Sequence, residues 1–174
     1  MPYSRLLRFF KRHQKSFRQL YRCLQKRYFK ISETIYKDLD ERLEKNRVWV
    51  VDPLDGTKEF IEGVPHFSVS IGLVENGEPV IGVIYNPATE EMFSCEKGKG
   101  VYLNGEKVSV SNKKNLINST IVVSRSELKR GEWEPFKKQF KSIKPIGSVA
   151  YKLALVSAGR YEIFATIAPK NEWD

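Results

Sequence analysis

The chain has 174 residues, of which 41% are hydrophobic and 29% are charged, and its formal net charge is +9 at pH 7. This length and composition predict one globular domain with a sizeable core, and they exclude a wholly disordered chain. No apolar run approaches the ~20 residues that a membrane-spanning helix needs, so a spanning protein is excluded as well. The two cysteines, Cys23 and Cys95, make no disulfide framework or metal-binding pattern, which predicts a reducing, cytoplasmic environment.

The positive charge is concentrated in an N-terminal arm, residues 1–30, which holds ten Lys and Arg residues and no acid. The remaining 144 residues carry 20 bases and 21 acids, so the domain itself is close to neutral. Leu and Phe residues are interleaved with the bases at a spacing compatible with a basic amphipathic helix. Four alternatives remain open for the arm: packing on the domain, peripheral contact with the inner face of a membrane, nucleic-acid binding, or targeting. No specific nucleic acid is expected, because the domain lacks a basic stripe and base-stacking motifs.

After the arm, apolar runs alternate with tight turns. The continuous apolar run at 48–51 predicts a buried strand that leads directly into Asp52. Asn76-Gly77 and Asn104-Gly105 are strong signals for hairpin turns. Strands of an antiparallel meander are predicted at 48–51, 67–73, 80–85, 92–95, 101–103 and 108–110.

The second half of the chain mixes helices with strands. Trp133, Phe136 and Phe140 have the spacing of an amphipathic helix, and a second helix is predicted over 150–158, where Gly159 ends it. Further strands are predicted at 121–123 and 161–167. Since the helices and a mostly antiparallel sheet segregate along the chain, the predicted fold class is α+β.

The residues best suited to chemistry lie in the turn 52–57, Asp-Pro-Leu-Asp-Gly-Thr, where the first strand ends. Pro53 turns the chain sharply, so that Asp55 can return its carboxylate to the side of Asp52. Two carboxylates and the Leu54 carbonyl are hard oxygen ligands of the kind that Mg²⁺ prefers. The alternative is an ordinary turn with solvated acids, because Asp, Pro and Gly are common turn formers.

A longer segment, residues 49–60, reads Trp-Val-Val-Asp-Pro-Leu-Asp-Gly-Thr-Lys-Glu-Phe. Together with Glu33 and the Trp-Asp pair at 173–174, it resembles the Mg²⁺-dependent, lithium-sensitive inositol monophosphatase-like phosphatase superfamily. Its Lys-Glu-Phe ending is most similar to the 3′(2′),5′-bisphosphate nucleotidase branch, because inositol monophosphatases more often have Thr-Asn-Phe there. The resemblance covers about residues 31–174, and it implies a layered sandwich of the inositol monophosphatase and fructose-1,6-bisphosphatase type.

The resemblance also implies a role for each matching residue. Glu33 and Thr57 would be catalytic, since they would orient the attacking water. His66 is interpreted as the start of a strand, without a catalytic role. Two or three Mg²⁺ ions would be held by Glu33, Asp52, Asp55, Asp174 and the backbone carbonyl of Leu54. The substrate would be bound by Asp55, Gly56, Thr57, Ser124, Ser126, Gly147, Ser148 and Lys152.

Three features depart from the family pattern. Thr34 stands where the family usually has a second acid, and residues 1–32 contain no acid that could pair with the motif threonine. The chain also ends at Asp174, where the family continues with a helix and further strands. We therefore expect residues 31–174 to form a partial phosphatase domain behind the arm.

The predicted function is Mg²⁺-dependent hydrolysis of a small phosphorylated substrate by in-line attack of water. The first candidate reaction is removal of the 3′-phosphate of adenosine 3′,5′-bisphosphate, or of its sulfated form, in sulfate assimilation. An inositol monophosphatase is the alternative within the same enzyme class. An alternative of another class is an inactive fragment that binds nucleic acid or a membrane through its basic arm. The sequence does not indicate an oligomeric state.

Overall fold

A computed structural model describes residues 46–169 of the chain. The predicted arm at 1–30 and two predicted site residues, Glu33 and Asp174, lie outside the described residues. Within 46–169, no helix is long and apolar enough to cross a membrane.

The first six strands form one antiparallel sheet, in which each strand pairs with the next one along the chain. Asn76-Gly77 and Asn104-Gly105 connect neighbouring strands, and all four residues have positive φ, as type I′ turns require. The predicted meander is therefore confirmed, except that its last strand lies at 106–108 and not at 108–110. Its strands are β1 (Arg47–Asp55), β2 (Ser68–Glu75), β3 (Glu78–Asn86), β4 (Glu91–Glu96), β5 (Gly100–Leu103) and β6 (Glu106–Val108).

β1 is an edge strand of this sheet, because β2 is its pairing partner within the described part of the chain. Residues along β1 alternate between exposed and half-buried, and Trp49 and Val51 are 48% and 50% exposed. The prediction of a buried strand at 48–51 is therefore wrong. An apolar run gives the strand propensity of a segment, but it does not show whether the strand has neighbours on both sides.

The second half forms a three-stranded parallel sheet in the order β8-β7-β9. The predicted strand at 161–167 shortens to two residues, because Ile167 and Ala168 donate their backbone N–H groups to Glu127 Oε1 instead of to a neighbouring strand. The strand at 142–145 has no predicted counterpart. The strands are β7 (Thr120–Val123), β8 (Ser142–Pro145) and β9 (Ile163–Phe164).

Among residues 46–169, three α-helices follow from local signals of unequal strength. The helix predicted to end at Gly159 is confirmed, and the N–H groups of Gly159 and Arg160 close it on the carbonyls of Val156 and Leu155. Two helices of five residues each were not predicted, since so short a segment shows no periodicity. The helices are α1 (Thr57–Ile61), α2 (Arg125–Lys129) and α3 (Val149–Ser157).

The amphipathic helix predicted around 133–140 is a 3₁₀ helix, Glu134–Gln139. Pro135 lies near its start, and Phe140 is already extended as the chain enters β8. With three residues per turn, a 3₁₀ helix also places Trp133 and Phe136 on one side, where their rings lie 5.6 Å apart between centroids. The aromatic spacing therefore did not distinguish the two helix types.

The core joins the two sheets through α3. Phe93 of β4, Val122 of β7 and Leu155 of α3 belong to one cluster of buried side chains, each at most 3% exposed. This layered arrangement of helices with a mostly antiparallel sheet confirms the α+β fold class. It also brings the start of α3 close to the end of β1, where the predicted site lies.

Candidate active site

Asp52 and Asp55 lie on the same face of the first sheet. Asp52 pairs with Ser70 of β2 and Asp55 pairs with Ser68, so three steps along β1 match two steps along β2. A β-bulge therefore inserts one extra residue between the two aspartates. Because paired residues share a face, as do residues two apart on β2, the bulge brings both carboxylates to one side. This is the arrangement that the turn predicts.

The carboxylate of Asp55 is buried, with 8% of the residue exposed. Its Oδ2 accepts hydrogen bonds from the Ser148 hydroxyl at 2.6 Å and from the Ala150 backbone N–H at 2.7 Å. Both donors belong to the start of α3, where the helix dipole also favours a negative charge. Folding therefore joins the end of β1 to a helix that begins more than 90 residues later.

Ser148 forms several contacts at once. Its Oγ accepts the Tyr151 N–H at 2.9 Å, as the N-cap of α3, and lies 3.0 Å from Ser68 Oγ on β2. Its backbone has φ 55° and ψ 124°, a region that residues other than glycine rarely adopt. Sequence analysis missed Ser68, whose signal is its place among the polar positions that alternate along β2.

The turn is held together by its own polar groups. Asp52 Oδ1 accepts the Leu54 N–H at 2.9 Å, and the Thr57 hydroxyl donates to the Leu54 carbonyl at 3.0 Å. Since a hydroxyl has one proton, Thr57 can interact with a water molecule as an acceptor. A carbonyl oxygen has two lone pairs, so Leu54 can accept this bond and still bind a cation.

Gly147 lies directly against the helix that follows the turn. A Cβ atom at Gly147 would lie 2.2 Å from Glu59 Cγ, so glycine is required for this close approach. Glu59 is also buried, and its Oε1 accepts Arg125 Nη1 at 3.1 Å, while the same nitrogen lies 2.8 Å from Glu62 Oε2. The loop before Ser148, α1 and α2 are thus connected through one ion-paired cluster.

A cleft of about 330 Å³ opens between α1 and α2. Ser126 lines it, and the Ser124 and Ser126 hydroxyls lie 2.9 Å apart, so the structure brings these two predicted substrate-binding residues together. Arg125 pairs with Glu59 of α1 and with Glu62 directly after it, so Lys58 and Lys129 supply the cleft's further positive charge.

Lys152 has a different position. The residue is 3% exposed, and its Nζ donates to the Ile146 carbonyl at 3.1 Å and lies 5.3 Å from the centroid of the Phe164 ring. The structure therefore places this amine in the core near β9 and not on the open surface of the cleft. Its role in substrate binding stays a prediction.

His66 lies between the turn and the loop at Gly147, and Cβ atoms at Gly56 and Gly147 would come within 2.8 Å and 2.7 Å of its carbonyl oxygen. Burial lowers the pKa of its imidazole, and the nearby positive charge of Arg125 lowers it further. Its buried Nδ1 has no hydrogen-bond partner among residues 46–169. The backbone of His66 thus spaces the two loops, and the lowered pKa favours the neutral form of its imidazole.

The donors at this end of β1 fit a hard divalent cation by their chemistry, because they are two carboxylates and a carbonyl. Across the described part of the chain, no group of three or more His, Cys, Asp and Glu side chains is placed to hold a metal ion. Two of the four predicted carboxylate ligands, Glu33 and Asp174, lie beyond that part. Asp52, Leu54 and Asp55 are therefore the portion of the predicted ligand set that the structure describes.

Comparison with known proteins identifies the family of this chain. The sequence profile described as "Inositol monophosphatase family" matches residues 13–174. The fructose-1,6-bisphosphatase/inositol-1-monophosphatase of Thermotoga maritima is 38% identical over 130 residues, which cover 74% of this chain and 50% of that protein. The chain spans about half the length of the curated relatives it matches.

Two solved structures show the same fold. A Thermotoga maritima IMPase matches with a TM-score of 0.71 and 35% identity, covering 82% of this chain and 54% of that one. SaIMPase-II with bound 2′AMP matches with a TM-score of 0.67 and 30% identity, covering 79% of this chain and 53% of that one. The family and fold predictions are confirmed, whereas these relatives do not support the nucleotidase branch in particular.

Proposed function

Because this chain belongs to the inositol monophosphatase family, we propose that it hydrolyses a phosphomonoester with Mg²⁺, and that an inositol monophosphate is the first candidate substrate. The observation that carries the proposal is the bulge in β1, which turns Asp52 and Asp55 to one face of the sheet. The names of the curated relatives favour inositol phosphate over a nucleotide as the substrate.

Asp52, Asp55 and the Leu54 carbonyl would hold the metal, together with Glu33 and Asp174 from the rest of the chain. When bound, Mg²⁺ would neutralise the phosphoryl oxygens and lower the pKa of the attacking water. The family resemblance of the sequence predicts two or three such ions.

Thr57 and Glu33 would orient the attacking water. Thr57 suits this role because its proton goes to the Leu54 carbonyl, which leaves its oxygen to accept the water's hydrogen. Gly56 has φ 87° and turns the chain so that Thr57 follows it at the start of α1. Gly56 and Thr57 would contact the scissile phosphate, while Ser124, Ser126 and Gly147 would line the remainder of the substrate site.

A bisphosphorylated nucleotide is the second candidate substrate, favoured by the cleft beside Lys58. This residue begins the Lys-Glu-Phe segment, and the cleft adds the positive charge of Lys129 close to Ser126. A second phosphate group would be attracted to that charge, whereas an inositol monophosphate carries no such group. The binding of 2′AMP by the related SaIMPase-II also makes a nucleotide a reasonable substrate to test.

The test is Mg²⁺-dependent phosphate release by the full chain from inositol 1-phosphate and from adenosine 3′,5′-bisphosphate, with and without lithium. Faster release from inositol 1-phosphate supports the first candidate, and faster release from the nucleotide reverses the order. Absence of release from both substrates would overturn the proposed hydrolase activity and favour the binding role of the basic arm.

A pair of lysine variants tests the cleft separately. Lys58→Met should raise KM for the nucleotide by about 10-fold, the effect of losing ~1.4 kcal/mol of binding free energy, and leave KM for inositol 1-phosphate unchanged. Lys138→Met, on the exposed 3₁₀ helix, is the matched control and should change neither value. An equal rise for both substrates would show that the cleft does not distinguish them.

A further inference from the structure

The three buried residues Ser68, Ser148 and Asp55 form a continuous chain of hydrogen bonds behind the proposed metal site. Ser68 is fully buried, Ser148 is 5% exposed and Asp55 is 8% exposed. Their oxygens lie 3.0 Å apart from Ser68 to Ser148 and 2.6 Å apart from Ser148 to Asp55. This series of hydrogen bonds connects β2, the start of α3 and the end of β1.

The direction of these hydrogen bonds follows from the number of protons available. A carboxylate can only accept, so the single hydroxyl proton of Ser148 goes to Asp55 Oδ2. Ser148 Oγ must then be the acceptor in its contact with Ser68, as it is for the Tyr151 N–H. The hydroxyl of Ser148 is therefore engaged by three protein groups.

We propose that Ser148, supported by Ser68, is a positioning residue that orients the carboxylate of Asp55 toward the metal, instead of contacting the substrate. This inference rests on the proposed function, since it assigns Asp55 as a metal ligand. The Ser148 hydroxyl and the Ala150 N–H both donate to Asp55 Oδ2, and together these bonds fix the plane in which the carboxylate lies. Hydrogen-bonded partners of metal ligands typically strengthen metal binding in this way.

The backbone of Ser148 supports the same assignment. At φ 55° and ψ 124°, glycine would be less strained than a residue with a Cβ atom, yet a serine occupies the position. An N-cap hydroxyl alone does not require this conformation, because N-cap residues normally have extended backbone angles. Here the conformation lets one oxygen cap α3 and donate to Asp55 at the same time.

The same backbone offers a variant that removes the hydroxyl without harming the fold. Ser148→Gly places glycine at a positive φ, which it tolerates better than other residues, and glycine is also an accepted N-cap residue. Ser148→Thr retains the hydroxyl and serves as the conservative rescue. Ser157→Ala, which removes the hydroxyl bonded to the Ala154 carbonyl at the other end of α3, is the matched control.

The experiment is a titration of each full-length variant with Mn²⁺, followed by electron paramagnetic resonance of the unbound ion, with thermal unfolding measured without metal. We expect Ser148→Gly to weaken Mn²⁺ binding by about 10–100-fold, the usual effect of losing a partner of a metal ligand. Ser68→Ala should weaken it less, and Ser148→Thr and Ser157→Ala should bind as the unaltered chain does. The unfolding temperature of Ser148→Gly should stay close to that of the unaltered chain.

Two results would overturn the inference, and they are distinguishable. If the unaltered chain binds Mn²⁺ and Ser148→Gly binds it equally well, the positioning role is wrong while the proposed metal site stands. If the unaltered chain binds no Mn²⁺, the proposed metal-dependent function fails and the positioning role fails with it. Weakened binding that Ser148→Thr restores supports both.

Discussion

Two buried carboxylates, Asp55 and Glu127, are enclosed by the protein in different ways. Asp55 is 8% exposed and Glu127 is 1% exposed, and each accepts hydrogen bonds from backbone N–H and hydroxyl groups. The donors to Glu127 are spread over both of its oxygens: Trp133 Nε1 bonds Oε2, while Thr166, Ile167 and Ala168 bond Oε1. The donors described for Asp55, Ser148 and Ala150, converge on Oδ2.

The difference indicates two kinds of task. Because both oxygens of Glu127 accept hydrogen bonds, its carboxylate holds the segment after β9 against α2. This is a structural role. Burial alone would raise the pKa of Glu127, but the hydrogen bonds from Thr166, Trp133 and the two backbone N–H groups outweigh it and hold the pKa below its ordinary value. The Ser148 hydroxyl and the Ala150 N–H instead set the orientation of Asp55 at the edge of the proposed site.

Replacing Asp55 should therefore affect activity far more than stability. Asp55→Asn should lower kcat by about 10³-fold, because a metal ion supplies several kcal/mol of transition-state stabilisation and ~1.4 kcal/mol is tenfold in rate. The amide oxygen can still accept from Ser148 and Ala150, so urea unfolding should shift by less than about 1 kcal/mol. Phosphate release and urea unfolding of the same preparation check both effects. A variant with the unaltered rate would remove Asp55 from the site.

Replacing Glu127 should give the opposite pattern. Glu127→Ala leaves the Trp133 N–H, the Thr166 hydroxyl and two backbone N–H groups without their acceptor, so we expect a loss of about 3 kcal/mol in unfolding free energy. Glu127→Gln, which keeps one acceptor oxygen, should lose less. Because the folded pKa of Glu127 lies below the unfolded one, its contribution is present above about pH 4.3 and is lost as the pH falls through the folded pKa.

Urea unfolding at pH 7 and at pH 3 measures this dependence. The difference in unfolding free energy between the unaltered chain and Glu127→Ala should be smaller at pH 3 than at pH 7. If Glu127→Ala were as stable as the unaltered chain but failed to bind Mn²⁺, the structural assignment of Glu127 would be wrong.

Much of the fold could be predicted from the sequence because its signals are local. Asn-Gly pairs at 76–77 and 104–105 fix two hairpins, and hydrophobic residues at alternate positions fix the strands beside them. β8 and β9 are different, since they depend on partners distant in sequence. β8 pairs with β7, and the N–H groups of residues 167–168 bond to Glu127. Both are tertiary contacts that no local sequence pattern indicates.

The sequence predicts ligands for the site, but it does not predict the groups that support them. The turn at 52–57 predicts Asp52, Leu54 and Asp55 through its residue types together with the family resemblance, and their role as ligands stays a prediction. Ser68 escaped notice, since a serine in a strand has the same sequence pattern whether it faces solvent or a buried hydroxyl. Its importance follows from a contact with a residue 80 positions later, which requires the folded chain.

A third carboxylate, Glu91, extends the comparison to a mixed environment. Burial raises its pKa, but hydrogen bonds from Tyr151 and Thr89 and the charge of Arg160 outweigh burial and hold the pKa below its ordinary value. Burial and Glu91 together raise the pKa of Tyr151 to about 12, so this phenol keeps its proton at neutral pH. Glu91, like Glu127, thus has a structural role. It accepts hydrogen bonds from fewer donors, and one of them, Arg160, is exposed.

Tyr151→Phe should accordingly lose about 1.5 kcal/mol of unfolding free energy at pH 7, the low end for a hydrogen bond to a charged group. The loss should shrink below about pH 4.3, where Glu91 becomes protonated in the unfolded chain and then in the folded one. Urea unfolding at pH 7 and below about pH 4.3 measures this loss, and Tyr102→Phe on β5 is the matched control. A loss independent of pH would mean that the phenol stabilises the fold by packing and not through Glu91.

The smallest effect is expected where a carboxylate is exposed. Glu78 and Lys97 form an ion pair at 3.3 Å on the surface of the first sheet, with side chains 67% and 61% exposed. Lys97→Met should change the unfolding free energy by less than about 0.5 kcal/mol, because water and salt screen such pairs and ordering the side chains costs entropy. Urea unfolding at low and high salt checks this value. A larger, salt-dependent loss of unfolding free energy would show that an exposed ion pair can stabilise the fold as buried hydrogen bonds do. Buried donors would then not explain the difference between surface acids and the pair Asp55 and Glu127.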